Sequence, residues 1–210
     1  METAVEFIDE SGLPGLSMRR LGSVLGVEAM SLYRYVPGRE QLLDAVVSHI
    51  IDDMESDPDV IDAPDHGWQD YLQRLAHGIR RVALAHPKAF PLVASRPAEA
   101  PWLRPPLRSL RWVEAFLAGL TDEGFSDQGV VEAYRAFTSF LLGHLLLEVA
   151  ALGADLGPLD VLEEDADESL RPYPRVRQLA PQLSENHAAL EFEDALENLL
   201  QRLALIRTET

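Results

Sequence analysis

The sequence predicts an all-α protein. Apolar residues recur three and four positions apart through most of the chain, as on the buried face of a helix. No stretch alternates apolar and polar residues for long enough to make a sheet, and Gly, Pro and Ser break the pattern at helix-length intervals. Taken in order, Thr3 to Glu10 reads as a short helix closed by Ser11-Gly12 and Pro14-Gly15. Ser17 can cap a second helix from Met18 to Leu25, because its hydroxyl can accept a hydrogen bond from an unpaired N–H of the first turn. Gly26 can end that helix in the left-handed conformation. A short helix from Glu28 to Tyr35 follows and stops at Pro37-Gly38.

Longer helices come next. Leu42, Leu43, Val46, Val47, Ile50 and Ile51 mark one from Gly38 to Met54, and Trp68, Leu72, Leu75, Ile79 and Val82 mark another from Trp68 to His86. Val130 to Leu145 belongs to a helix from Asp127 to Ala151, and Leu196 to Ile206 to one from Glu185 to Arg207. Two stretches, Glu55 to His66 and Gly153 to Ser184, combine prolines with acidic residues and read as linkers. They divide the chain into residues 1–54 and 67–210.

Composition narrows the function. With 47% hydrophobic residues in 210, the chain can bury a sizeable core. The run from Ser139 to Leu152 contains His144 and Glu148 and falls short of the roughly 20 apolar residues that a membrane span needs. Glu2 and Glu6 stand where a secretory signal would be basic. The absence of cysteine excludes disulfides and thiolate metal sites and suits the cytoplasm. A net charge of −17 opposes nucleic-acid binding, but Arg19, Arg20, Arg34 and Arg39 face only Glu28 and Glu40 within residues 17–41. That segment alone could meet phosphate.

Helix, glycine turn and helix in that segment have the arrangement of a helix-turn-helix, whose second helix enters the major groove. Leu32 and Val36, with Leu21, Leu25 and Val27, are its natural inward residues. Glu28, Ala29, Met30, Ser31, Arg34 and Tyr35 are left outside or at the edge. Small residues at 29 and 31 allow close approach to bases, and Met30 can touch a thymine methyl.

The run from Gly15 to Asp44, with its Leu32-Tyr33 pair, Tyr35 and Leu42-Leu43-Asp44, resembles the DNA-binding signature of the TetR family. The resemblance implies that Ser17, Met18 and Arg19 approach double-stranded operator DNA from the first helix of the motif. It likewise places Glu28, Ala29, Met30, Ser31, Tyr33, Arg34 and Tyr35 on the recognition helix. Tyr33 and Arg39 are then phosphate contacts, and Arg19, Ala29, Met30 and Arg34 the base readers. The alternative for Tyr33 and Tyr35 is packing over the small core, and Arg20 reads as a solvated residue or a partner for a nearby acid. Family members carry further residues before the position of Thr3. The comparison implies either a start upstream of Met1 or an incompletely packed first helix and weaker DNA binding.

Residues 67–207 resemble the tetracycline repressor branch at Gly67-Trp68-Gln69, Ser95-Arg96-Pro97, Glu123 to Ser126, Phe140 to Gly143 and Phe192 to Leu203. That resemblance implies a homodimer in which the helices from Asp127 and from Glu185 form a four-helix bundle with their copies. Their apolar surface is also too broad for a single packing face. The histidine and glutamate that hold a metal–drug complex in that branch fall here on Leu92 and Leu147. No metal, no other cofactor and no tetracycline are therefore expected.

The candidate effector pocket comprises Leu72, Leu75, Ile79, Leu92, Trp102, Leu107, Trp112, Phe116, Tyr134, Phe137, Thr138, Leu141 and His144, a set suited to a small apolar molecule. His144 has the alternative of a satisfied core histidine. Arg74, Arg80, Arg81, Lys88, Arg96, Arg104, Arg108 and Arg111 could attract an anionic effector, or could pair with the acidic linkers. No phosphate loop, nucleophile elbow or His-Glu-x-x-His run suggests an enzyme. His187 with Glu191 and Glu193 with Glu197 have metal-compatible spacing on a face that reads as solvated. The expectation is a cytoplasmic, membrane-free repressor released from its operator by ligand, through movement of the helix from Trp68 to His86. The alternative is a helical interaction or ligand-sequestering protein with weakened DNA binding.

Overall fold

The computed structural model describes residues 1–58, 60, 63–96, 103, 109–155 and 171–208. Every regular element among them is helical: α1 (Glu2–Ser11), a 3-10 turn (Leu13–Gly15), α2 (Met18–Leu25), α3 (Ala29–Leu32), α4 (Arg39–Ser56) and α5 (Trp68–Ala85). Then come α6 (Pro91–Ser95), α7 (Leu110–Asp122), α8 (Asp127–Ala151), α9 (Pro174–Leu183) and α10 (Ala188–Thr208).

The first four helices form a small head. α2 begins where Ser17 Oγ accepts the Arg20 N–H at 3.2 Å, and ends at Gly26 with φ 68°. Gly22 is buried where α2 meets α3, and a Cβ added there would lie 2.8 Å from the carbonyl oxygen of Val27. Only a residue without a side chain permits that approach. α3 is shorter than the sequence predicts. The N–H groups of Tyr35 and Val36 both turn back to the Leu32 carbonyl at 2.9 Å, and Pro37 keeps Val36 from continuing the helix.

Ala4, Val5 and Ile8 are fully buried, so α1 packs despite its acidic outer face, contrary to the expectation of a loose first helix. Leu25 and Val27, expected to point inward, are each 43% exposed. Met18 takes the interior place instead, one turn from Leu21 and Gly22 on the same face of α2.

α4 leaves the head and runs into the larger helical body, where α5 and α6 pack against it. α5, α7 and α10 all pack on α8, whose 25 residues extend well beyond the Ser139–Leu152 run and, by length and composition alone, reach what a membrane span needs, as the central helix of a helical body also can. The connection after α4 is fastened to α5. Asp57 accepts two hydrogen bonds from Arg81 at 3.0 and 2.6 Å, and the Pro58 carbonyl accepts one from Arg74 at 3.2 Å. The second predicted linker, Gly153 to Ser184, contains α9. Its Pro174 occupies the first helical turn, where the missing N–H costs nothing. The acidic block from Glu163 to Glu168 lies outside the described residues.

Candidate DNA-reading surface and effector pocket

The outer face of the head is formed by the segment from Glu28 to Tyr35. Glu28, Ser31 and Arg34 are exposed, Met30 is 72% exposed and Tyr35 85%, while Ala29 is half-buried. Tyr33 is 43% exposed and so more covered than Tyr35. Arg19 projects from the first turn of α2, and among the described residues neither it nor Arg34 has an acidic partner within ion-pair distance. Ser17 spends its hydroxyl on the cap.

Arg39 is exposed, with Nη2 donating to the Leu13 carbonyl at 3.4 Å and Nη1 standing 3.9 Å from Glu40. Arg20 donates to the Gly15 carbonyl at 3.3 Å and ties the preceding turn to α2. Met18, expected on this surface, is only 7% exposed and belongs to the head core.

A cavity opens between α4, α5, α7, α8 and the α6 segment, with about 720 Å³ of space free of protein atoms when the open solvent at its mouth is counted. Its wall includes Leu75, Ile79, Trp112, Phe116, Tyr134, Phe137, Thr138 and Leu141, all expected from the sequence. Ile51 and Met54 of α4, Phe90, Val93, Ser109 and Leu142 complete it. The rings of Phe116 and Tyr134 meet edge to face at 5.8 Å, and those of Phe116 and Phe137 are tilted at 5.5 Å.

Three expected residues are not in the wall. Leu72 and Leu92 are buried in the surrounding core. His144 turns away onto the rings of Phe140 at 5.9 Å and Phe192 at 5.2 Å, with Nε2 4.0 Å from Glu148. Trp102 and Leu107 lie outside the described residues.

Polar groups in the wall are few and internally engaged. Ser109 Oγ accepts the backbone N–H of Trp112 at 3.4 Å, and the indole Nε1 of Trp112 donates to Glu55 at 3.0 Å. Burial pushes the Tyr134 phenol up to about 12, against a smaller opposing effect of its hydrogen bond with Thr138. None of the wall residues is charged. A neutral, largely apolar molecule is what such a cavity can hold without stranding a charge.

The basic residues expected as an anion site are engaged elsewhere. Arg80 forms a two-pronged ion pair with Glu148 at 3.0 and 2.5 Å, its Cζ lying 5.1 Å from the centre of the Phe192 ring. Arg81 pairs with Asp57, Arg96 with Glu40 and Asp44, and Arg111 with Glu55. Arg74 holds the Pro58 carbonyl and Lys88 the Glu10 carbonyl, while Arg104 and Arg108 lie outside the described residues. Among the described residues, only Arg81 and Arg111 pair with an expected acidic linker, through Asp57 and Glu55; Arg80 and Arg96 pair with acids on the helices instead.

At the metal–drug positions, Leu92 is buried and Leu147 is 73% exposed; the neighbouring Glu148 is taken by Arg80. His187 contacts Glu185 at 2.8 Å, and Glu193 lies 3.5 Å from His77, so neither pair with metal-compatible spacing is assembled as a site. Among the described residues no group of three or more His, Asp or Glu could hold a metal ion.

Comparison with known proteins bears on both surfaces. Residues 62–205 match the family described as "Tetracyclin repressor-like, C-terminal domain". The chain is 32% identical over 143 residues to the HTH-type transcriptional repressor DrrR1 of Streptomyces coeruleorubidus, covering 68% of this chain and 50% of that protein. It spans between half and two thirds of the length of this and the other most similar curated relatives. A crystal structure of a possible TetR family transcriptional regulator from Streptomyces coelicolor A3(2) superposes with a TM-score of 0.74 at 31% identity, covering 98% of this chain and 97% of that one. The Streptomyces coelicolor TetR family protein ActR, in complex with actinorhodin, superposes with a TM-score of 0.68 at 23% identity, covering 97% of this chain and 94% of that one, and shares the fold.

Proposed function

The chain belongs to the tetracycline repressor-like family, and from that premise we propose that it is a ligand-responsive repressor, released from double-stranded operator DNA by a small apolar effector. Residues 1–54 act as the DNA-binding domain and residues 67–210 as the effector-binding and dimerisation domain. Arg19, Ala29, Met30 and Arg34 read the groove, with Tyr33 and Arg39 on phosphate; the exposure of Arg19, Met30 and Arg34 supports this. Ser17 serves as the cap that orients α2. The protein works as a homodimer in the cytoplasm, without catalysis or cofactor. Val131 and Leu147 on α8 and Leu190 and Leu205 on α10 support the dimer, since they are exposed apolar residues on two helices packed together. ActR, which shares this fold, forms a complex with the small molecule actinorhodin.

The observation that carries this reading is that Ile51 and Met54, in the wall of the cavity, belong to the same helix as Arg39 and Leu42 of the head. A ligand touching them makes different contacts in different settings of α4, which is the condition for shifting an equilibrium between two head arrangements. α4 itself is therefore the element through which the pocket acts, in place of α5 alone.

Selection of duplexes from a random pool on the purified full chain, followed by mobility shifts over a range of salt, tests the reading. A single sequence bound with steep salt dependence is expected. Sequence-indifferent binding, or none, overturns it.

A further inference from the structure

Several polar contacts fasten α4 to the body, and they differ in what else their donors touch. Arg96 holds Glu40 and Asp44 near the start of the helix, and Arg81 holds Asp57 just past its end. Neither arginine lines the cavity. Trp112, in the first turn of α7, does both. Its ring forms part of the wall, and its Nε1–H donates to Oε1 of Glu55, in the last turn of α4, at 3.0 Å. The other carboxylate oxygen of Glu55 accepts from Arg111 Nη1 at 3.1 Å. The Trp112 backbone is fixed in turn by the cap from Ser109, itself a wall residue.

An indole has a single N–H and no acceptor. With that N–H committed to Glu55, the ring cannot tilt to admit a ligand without either losing the bond or drawing the carboxylate after it. Met54, adjacent to Glu55 in the chain, faces the same space, so occupancy of the cavity is felt on both sides of this contact.

Resting on the functional reading above, we propose that Trp112 is the positioning residue through which the pocket sets α4. Its ring reports whether the cavity is filled, and its N–H holds or frees the last turn of α4 through Glu55. A partly buried hydrogen bond to a charged acceptor is strong enough to change the balance between two head settings by roughly ten- to a hundred-fold.

Coupling between two sites is reciprocal, so loading the heads with DNA must be felt at Trp112 even without effector. The chain has three tryptophans, Trp68, Trp102 and Trp112. The full-length protein labelled with 5-fluorotryptophan gives one fluorine resonance from each, and the one missing from W112F belongs to Trp112. The probe is the duplex selected on the wild-type protein. Saturation with it is expected to shift the Trp112 resonance, with the shift kept in Glu55→Gln, which retains an acceptor oxygen, and lost in Glu55→Ala. A Trp112 resonance that stays in place when the duplex is saturating, or one that moves equally in Glu55→Ala, overturns the proposal. Failure to select any specific duplex is a separate result: it overturns the regulator reading, and this inference falls with it.

Discussion

The Asp9 carboxylate, in α1, accepts a hydrogen bond at 2.9 Å from Nδ1 of His86, just past the end of α5. Its other oxygen accepts the backbone N–H groups of Lys88 and Ala89 at 3.1 and 3.3 Å, so one side chain of the head satisfies three donors of the body. Asp9→Ala leaves all three without this acceptor and is expected to destabilise the protein by about 2 kcal/mol. The midpoint of urea unfolding measures it, and amide exchange in α1 should accelerate more than exchange in α8. A midpoint equal to that of the parent protein would show that water replaces the carboxylate at no cost.

Arg80 and Glu148 form a largely enclosed ion pair of the body, with side chains 19% and 9% exposed. The hydrogen bonds that Arg80 donates to Glu148 hold the guanidinium above its ordinary value, which keeps the pair charged. Removing one member strands the other, so Arg80→Ala should cost roughly 3 to 5 kcal/mol. The double variant Arg80→Met, Glu148→Leu should recover most of that loss in thermal unfolding. A double variant as unstable as the single one would mean that the packing of Arg80 on Phe192, rather than the charge, is what matters.

Tyr134 makes stability fall at alkaline pH. Its phenol ionises near the ordinary value of 10.0 when unfolded and only at about 12 when buried, so the unfolded chain loses the proton first. The contribution is whole below pH 10 and is lost as pH rises to about 12. Tyr134→Phe should flatten that part of the stability curve while leaving neutral pH little changed. Urea midpoints across this window provide the check, and identical slopes for both proteins would refute it.

Gly22→Ala forces α2 and the following turn apart at a contact made with backbone, which cannot move aside as a side chain can. Operator affinity is expected to fall at least about tenfold, a loss equivalent to roughly 1.4 kcal/mol, while cavity and body stay intact. Met30→Ala should act differently, leaving overall affinity nearly unchanged and relaxing the choice of one base pair by roughly 1 kcal/mol. Competition with single-base operator variants separates the two effects. If both substitutions weakened every sequence alike, Met30 would be no reader of bases.

Much of the architecture could be read from residue spacing. Ser17 and Gly26 bracket α2 as expected, and α8 runs over the expected Asp127–Ala151. The errors have physical origins. Met18 lies three and four residues before Leu21 and Gly22, so the periodicity already placed it inside; analogy alone turned it outward. His144 likewise shares a face with Phe140 and Glu148, whereas Phe137 and Leu141 line the cavity. Ile51 was legible as buried but not as pocket-lining, because a helical stripe records that a residue is covered and not by what. Ile51 and Met54 both lie within residues 1–54, the part of the chain that carries the helix-turn-helix, far from where a pocket is expected. α9 is hidden in the sequence because Pro172 and Pro174 look like breakers, although a proline in the first turn begins helices as readily as it ends them.

The fastening of Asp57 to Arg81 has a mechanical consequence. It pins one end of an 18-residue rod, which at 1.5 Å per residue is about 27 Å long, so a tilt there is largest at the Arg39 end and works against the ion pairs of Arg96 with Glu40 and Asp44. A tilt of about 5° at the pinned end carries the far end roughly 2 Å. The geometry therefore works as leverage, in which a side-chain-sized adjustment beside Glu55 becomes a displacement as large as the tolerance of a hydrogen bond to a base edge.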